Sequence, residues 1–317
     1  MHTLASNGVA GTHLALICGA LKTCGVDIGI LQVYGKKFVL PRSRGGKVSD
    51  LFFKDHLVST DHVRHFAGDV LGMVHIMYAF LIDKIKPKGI LQKNIDAFEC
   101  LYDIMSILRH GDMNIMIHNR LTKLVDDHAA LFLELYTEKC AKIKFHHLYD
   151  LADDLLYLQK CLSCFPGERK NKDALAVAVL KDRAIERSST IAFLHQTISH
   201  WTDNEFACSK YSLINPQIRL IDGMQVKTSI AANLPSGDVR ADEMVVLIDA
   251  SIAKVIRFWE RNNTFLVQLA IHRKMSNAPL HFEVDAHAIT FQSVNDIVEP
   301  VTWYAGPSSI VAIVPRI

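Results

Sequence analysis

Gln217–Ile230, QIRLIDGMQVKTSI, decides the fold class of this chain. Two short extended runs flank Ile-Asp-Gly, a turn tripeptide, and that is the pattern of paired strands. Comparable runs, rich in Val, Ile and Phe, follow at Glu243–Asp249, Ala253–Trp259, Phe265–His272 and Ser309–Val314. Turn residues such as Pro-Ser-Gly-Asp at 235–238 separate them. Residues 209–317 are therefore expected to form a small all-β, barrel-like domain of five to seven strands.

Toward the N-terminus the texture is helical, from Leu51 to about Phe206. Gly72–Lys84 repeats apolar residues at helical spacing and is stopped by Pro87-Lys88-Gly89. Asn94–Arg109 and Asn119–Lys139 repeat the pattern. Leu148, Leu151, Leu155 and Leu158 then mark an amphipathic helix that begins at His146 and His147. A turn at Pro166-Gly167 and a long run over Asp173–Trp201 complete the set. Amphipathic helices of ordinary length predict a packed bundle. Ahead of it, Gly11–Leu21 reads as a short helix closed near Gly25, 29–40 as extended, and Pro41–Gly46 as a basic link. The expected architecture is α+β: an N-terminal helix and extended segment (1–50), a helical domain (51–208) and the β domain (209–317).

The chain has 317 residues, half of them hydrophobic, and a formal net charge of +2. A sizeable core is affordable, and a global nucleic-acid signal is absent, so any basic surface must be local. Between Gln32 and Lys54 there are six basic residues and one acid, which makes Lys36, Lys37, Arg42 and Arg44 candidate phosphate contacts. Seven irregularly spaced cysteines point to a reduced, intracellular protein, with nucleus and cytoplasm equally open. No apolar run has bilayer length without interruption, so no membrane partner is expected.

Cys161-Leu-Ser-Cys164 is the one C-x-x-C, with His146 and His147 upstream. A structural zinc site needs four convergent ligands, and adjacent helical side chains diverge by about 100°, so buried reduced cysteines are the expectation. Glu168 opens a helical run just after a turn, where orphan amides stabilise an acid. It is the candidate catalytic and metal-binding acid, and Arg169, Lys170 and Lys172 beside it are candidate nucleic-acid contacts. Asp50, Asp55, Asp61, Asp69, Asp112, Asp126 and Asp127 are available partners without metal-ligand spacing. No Walker, nucleophile-elbow, zincin or dinucleotide motif occurs. His56, His62, His65, His75, His110, His118, His128, His195 and His200 are scattered and read as surface or locally bonded.

Several segments together resemble the C-terminal portion of transposases from eukaryotic cut-and-paste elements, whose RNase H-like core is split by a helical insertion. They are Met1-His2 with Ser6-Asn7-Gly8-Val9, Lys144–Leu148, Cys164-Phe165-Pro166-Gly167-Glu168-Arg169-Lys170, and Val245–Asp249 with Ala253–Phe258. The resemblance implies that Glu168 is the last of three metal-binding acids and that Met1-His2 follows a catalytic aspartate. This sequence starts at Met1 and holds one of the three. A catalytically incomplete transposase-derived fragment is therefore expected, with weak, sequence-independent DNA binding. No cofactor is expected in this chain, and Mg2+ or Mn2+ would serve a full core. Two other readings stand beside it: a protein- or RNA-binding scaffold using the β barrel, and a metal-dependent nuclease centred on Glu168.

Overall fold

The computed structural model describes residues 8–41, 48, 52–53, 63, 67–110, 114–141, 143–158, 211–221, 224–234, 237–262, 264–276, 279–306 and 309–314. The Cys161–Cys164 pair, the Pro166-Gly167 turn, the run Asp173–Trp201 and the expected boundary at 208 lie outside them.

Helices fill the N-terminal half and a large antiparallel sheet the C-terminal half, an α+β architecture. α1 (Val9–Thr23) buries Leu14, Ile17, Cys18 and Leu21 and ends before Gly25, whose φ of 76° is left-handed and suits glycine. α2 spans Ile28–Gly35, where an extended segment was expected. Asp27 is its N-cap, accepting a hydrogen bond from the Gly29 amide at 2.8 Å. That cap and the tertiary burial of Ile28, Leu31 and Tyr34 outweigh the β-preferring composition of the run.

α3 (Ala67–Phe80) widens into a π turn over Leu81–Ile85, then tightens into a 3-10 turn over Lys86–Lys88, stopped at Gly89. α4 (Gln92–His110) and α5 (Ile115–Tyr136) follow. Asn114 caps α5, its Oδ1 accepting from the Met116 and Ile117 amides at 2.9 and 3.0 Å. α6 is His146–Leu158, and Leu148, Ala152 and Leu155 give it the expected buried stripe.

The main sheet has nine strands among the described residues: β2 (Gln217–Ile221), β3 (Met224–Ser229), β6 (Met244–Leu247), β7 (Ile252–Arg261), β8 (Thr264–Lys274), β9 (His281–Ser293), β10 (Ile297–Pro300), β11 (Thr302–Ala305) and β12 (Ile310–Ile313). The order β10-β6-β7-β8-β9-β12-β11 is antiparallel throughout, and the β2–β3 hairpin joins at the far half of β7. The Gln217–Ile221 strand and the β6–β7 pair match the sequence reading. β1 (Ser212–Leu213), β4 (Ala231–Leu234) and β5 (Gly237–Arg240) make a second, three-stranded sheet.

Helices and sheet share one hydrophobic cluster. Leu280, Val311 and Ile313 pack with Leu14, Phe98, Phe132 and Leu148. Val39, after α2, pairs with Trp303 of β11 in an isolated bridge, its amide donating to the Trp303 carbonyl at 2.7 Å. The Tyr102 hydroxyl donates to the Val314 carbonyl at 3.2 Å.

Inside the cluster two histidines meet. His13 on α1 and His128 on α5 are fully buried, with His128 Nε2 3.2 Å from His13 Nδ1. Phe98, Phe132 and Tyr136 stand edge-on to His13, and Phe145 stacks on His128. His128, expected from sequence at the surface or in a local bond, is instead buried on the apolar stripe of α5 with Leu121, Val125 and Phe132 and meets a partner 115 residues away. Burial pulls the His128 imidazolium down to about 4. Burial, then the neighbouring His128, holds His13 well below its ordinary value. Both rings are neutral at pH 7.

Candidate nucleic-acid interface

Backbone register sorts the side chains of β7, β8 and β9 into two faces, because directly opposed residues point to the same side. One face is core, with Val255, Phe258, Val267 and Leu269 fully buried. On the other, Trp259 opposes Leu266, and Arg257 opposes Gln268, which opposes Phe291. Arg261 follows two residues after Trp259. Arg219 on β2 opposes Val226, two residues before Thr228, which opposes Trp259. A bulge between Val255 and Arg257 returns Lys254 to this face opposite Ala270.

The result is an open patch that interleaves aromatic rings and cations. Phe291 is 53% exposed and Ile289 57%. Trp259 is half-buried, its ring centroid 5.7 Å from that of Phe291 in an edge-to-face arrangement. The Trp259 indole nitrogen is buried and has no hydrogen-bond partner among the described residues, so a ligand reaching this side chain meets hydrocarbon. Arg219 and Arg261 are exposed and Arg257 half-buried, and none has a carboxylate partner among the described residues. Arg261 instead donates to the Met224 sulfur at 2.8 Å. Lys254 pairs with Asp242 at 2.8 Å, which offsets part of its charge. Glu260 lies on the opposite face, paired with Lys227 at 3.0 Å.

Of the residues singled out in the sequence, Lys36 and Lys37 are exposed just after α2. Glu168, Arg169, Lys170, Lys172, Arg42 and Arg44 lie outside the described residues. His146 and His147 are exposed at the start of α6, with His147 Nδ1 3.8 Å from Asp150. Among the described residues no group of three or more His, Cys, Asp or Glu side chains is placed to hold a metal ion. Two tryptophans of the sheet separate cleanly. Trp259 faces outward on the patch, whereas Trp303 packs against the Met244, Val246 and Ile252 cluster. The sequence signal for the patch was alternation in β7, R-F-W-E-R at 257–261, which puts both arginines and the tryptophan on one side.

A second polar cluster lies where helices meet sheet. Asp83, on the π turn, has Oδ1 3.3 Å from His281 Nε2, and His281 Nδ1 is 3.1 Å from Ser309 Oγ. Burial opposes ionisation of Asp83, but the hydrogen bonds and charges of Lys84 and His281 outweigh it and hold the carboxyl below its ordinary value. Burial, then the Asp83 carboxylate, pushes the adjacent Tyr34 hydroxyl far upward. Ser309 is buried, so the relay works as a latch between β9, β12 and the π turn.

No helix among the described residues is long and apolar enough to cross a membrane. No protein-family model matches the chain, and no match is found among curated proteins.

Proposed function

We propose that this chain is a transposase-derived protein that binds DNA without regard to sequence, through phosphate attraction at the open face of β7–β9. The observation that carries the binding is the set of arginines at 219, 257 and 261, which have no acidic partner among the described residues and share a sheet face with the exposed Phe291 and the half-buried Trp259. Arginine without a protein counter-ion is free to displace the cations condensed on a polyanion, and that release supplies affinity without base information. The origin rests on the Cys164–Lys170 segment, whose Arg169 and Lys170 would add to the same attraction. The reading assigns binding, not strand transfer, to this chain.

The test is fluorescence anisotropy of labelled DNA from about 50 to 200 mM salt. Affinity falls steeply with salt, and replacing Arg219, Arg257 and Arg261 with Gln flattens the log–log slope by about 2–3. Unchanged affinity and slope in that variant would remove the sheet face from the reading. Incubating supercoiled DNA with Mg2+ or Mn2+ beside a Glu168→Gln variant tests the competing nuclease reading: metal-dependent nicking lost in the variant favours it.

A further inference from the structure

We infer that the face formed by β7, β8 and β9 is a stacking platform for single-stranded DNA, an inference that rests on the DNA-binding reading above.

Three features choose a single strand over a duplex. The first is what the aromatic rings offer. Phe291 is more than half exposed near the C-terminal end of β9, and Trp259 beside it presents hydrocarbon only. Flat apolar surface of this kind is matched by the face of an unpaired base, and every base has such a face. In a duplex those faces are covered by neighbouring base pairs, and only edges are offered.

The second feature is shape. Three strands set about 4.8 Å apart, carrying long side chains, make a broad, shallow surface. The major groove, about 12 Å wide, admits a helix or a two-stranded ribbon, and this face offers neither. Gln268 stands between Arg257 and Phe291 in the same cross-strand row. It is the one side-chain amide in that row, too little for reading a run of base edges.

The third feature is the arrangement of charge. Arg257 and Arg261 stand two residues to either side of Trp259 along β7, and Arg219 lies across β3 on β2. The cations therefore flank Trp259 along its strand, with Arg257 in the cross-strand row of Phe291. A strand laid across the sheet sets its phosphates against the arginines and turns one base onto Phe291 and the next onto Trp259. The rings stand edge-to-face at 5.7 Å, so the two bases are splayed rather than stacked on each other. A flexible single strand adopts that geometry readily, and a duplex resists it.

The experiment compares a labelled 15-nucleotide oligo-dT, the matching duplex and oligo-rU by anisotropy. The proteins are the full chain, Phe291→Thr, Trp259→Phe and Trp259→Thr. Phe291 and Trp259 are each at least partly exposed on a strand, and Thr suits a strand, so circular dichroism should report native folding. The expected result is tighter binding of oligo-dT than of duplex, weakened about tenfold by Phe291→Thr and by Trp259→Thr. Trp259→Phe, which keeps a ring, retains most of the affinity, and duplex binding changes less than twofold in all variants. Duplex bound as tightly as oligo-dT, with Phe291→Thr silent on both, overturns the platform while leaving DNA binding intact. Oligo-rU bound tenfold more tightly than oligo-dT reassigns the occupant and overturns the DNA assignment. Absence of binding to every probe overturns this inference together with the reading beneath it.

Discussion

Acidification should destabilise this protein through the buried His13–His128 pair, and the size of the effect follows from the structure. In the unfolded chain each imidazole takes up a proton near 6.5. In the native state His128 resists protonation until about pH 4, because the charged ring would sit fully buried among Phe132, Phe145 and His13. The unfolded state thus binds more protons in this window. The stability tied to a neutral His128 is complete above pH 6.5 and is lost as pH falls toward 4. At about 1.4 kcal/mol per pH unit of separation, His128 alone accounts for ~2 kcal/mol between pH 7 and 5 and ~3 kcal/mol in the limit. His13 shifts in the same direction and adds to the slope. His128→Gln keeps a side-chain donor for His13 and removes one titrating ring. Urea unfolding of both proteins at pH 7, 6 and 5 gives the comparison, with equal m-values as the check on two-state behaviour. The parent should lose ~2 kcal/mol more than the variant over that range. Parallel stability curves would show that His128 is not buried uncharged, and the packing of α5 against α1 would have to be redrawn.

Other consequences are equally open to measurement. Asp83→Asn removes the carboxylate that holds His281, and should cost about 1 kcal/mol and speed amide exchange in β12 at pH 7. Asn114→Ala deletes the α5 cap and should cost roughly 1 kcal/mol by thermal or urea unfolding, whereas Asn114→Asp should be nearly neutral. Ile218 and Leu220, 68% and 73% exposed on β2, make that terminal strand adhesive. Ile218→Lys with Leu220→Lys should lower self-association in sedimentation velocity and leave the unfolding midpoint nearly unchanged.

Legibility differed by element for physical reasons. α1, α4, α5 and α6 were readable because their apolar residues recur at helical spacing, and Gly25 and Gly89 sit where the chain must turn left-handed. β2 and β7 were readable from their β-branched and aromatic runs. α2 was misjudged because Ile, Val and Tyr favour strands locally, and only the tertiary burial of Leu31 and Tyr34 reverses that preference. β9 was missed, since Asp285, His287 and alanines at 286 and 288 dilute its alternation over thirteen residues. The boundary read from the change of texture near residue 210 lies outside the described residues. That change does not reveal that Val311 and Ile313 complete the core of the helices. Nor can a sequence show which cross-strand neighbours gather Arg219, Arg257, Arg261, Trp259 and Phe291, because register is fixed by pairing rather than by order.

The placement of β12 in the helical core also sets a timetable for synthesis. Helices ending at Leu158 leave the ribosome long before Ile313 has been added. At about 5–20 residues per second, the intervening stretch takes on the order of 8–30 s. For that interval the surface later covered by Leu280, Val311 and Ile313 is bare apolar area on a nascent chain. A cell making this protein must therefore shield a half-finished core, and a stop codon anywhere before codon 310 should yield a polypeptide that chaperones retain and proteases clear.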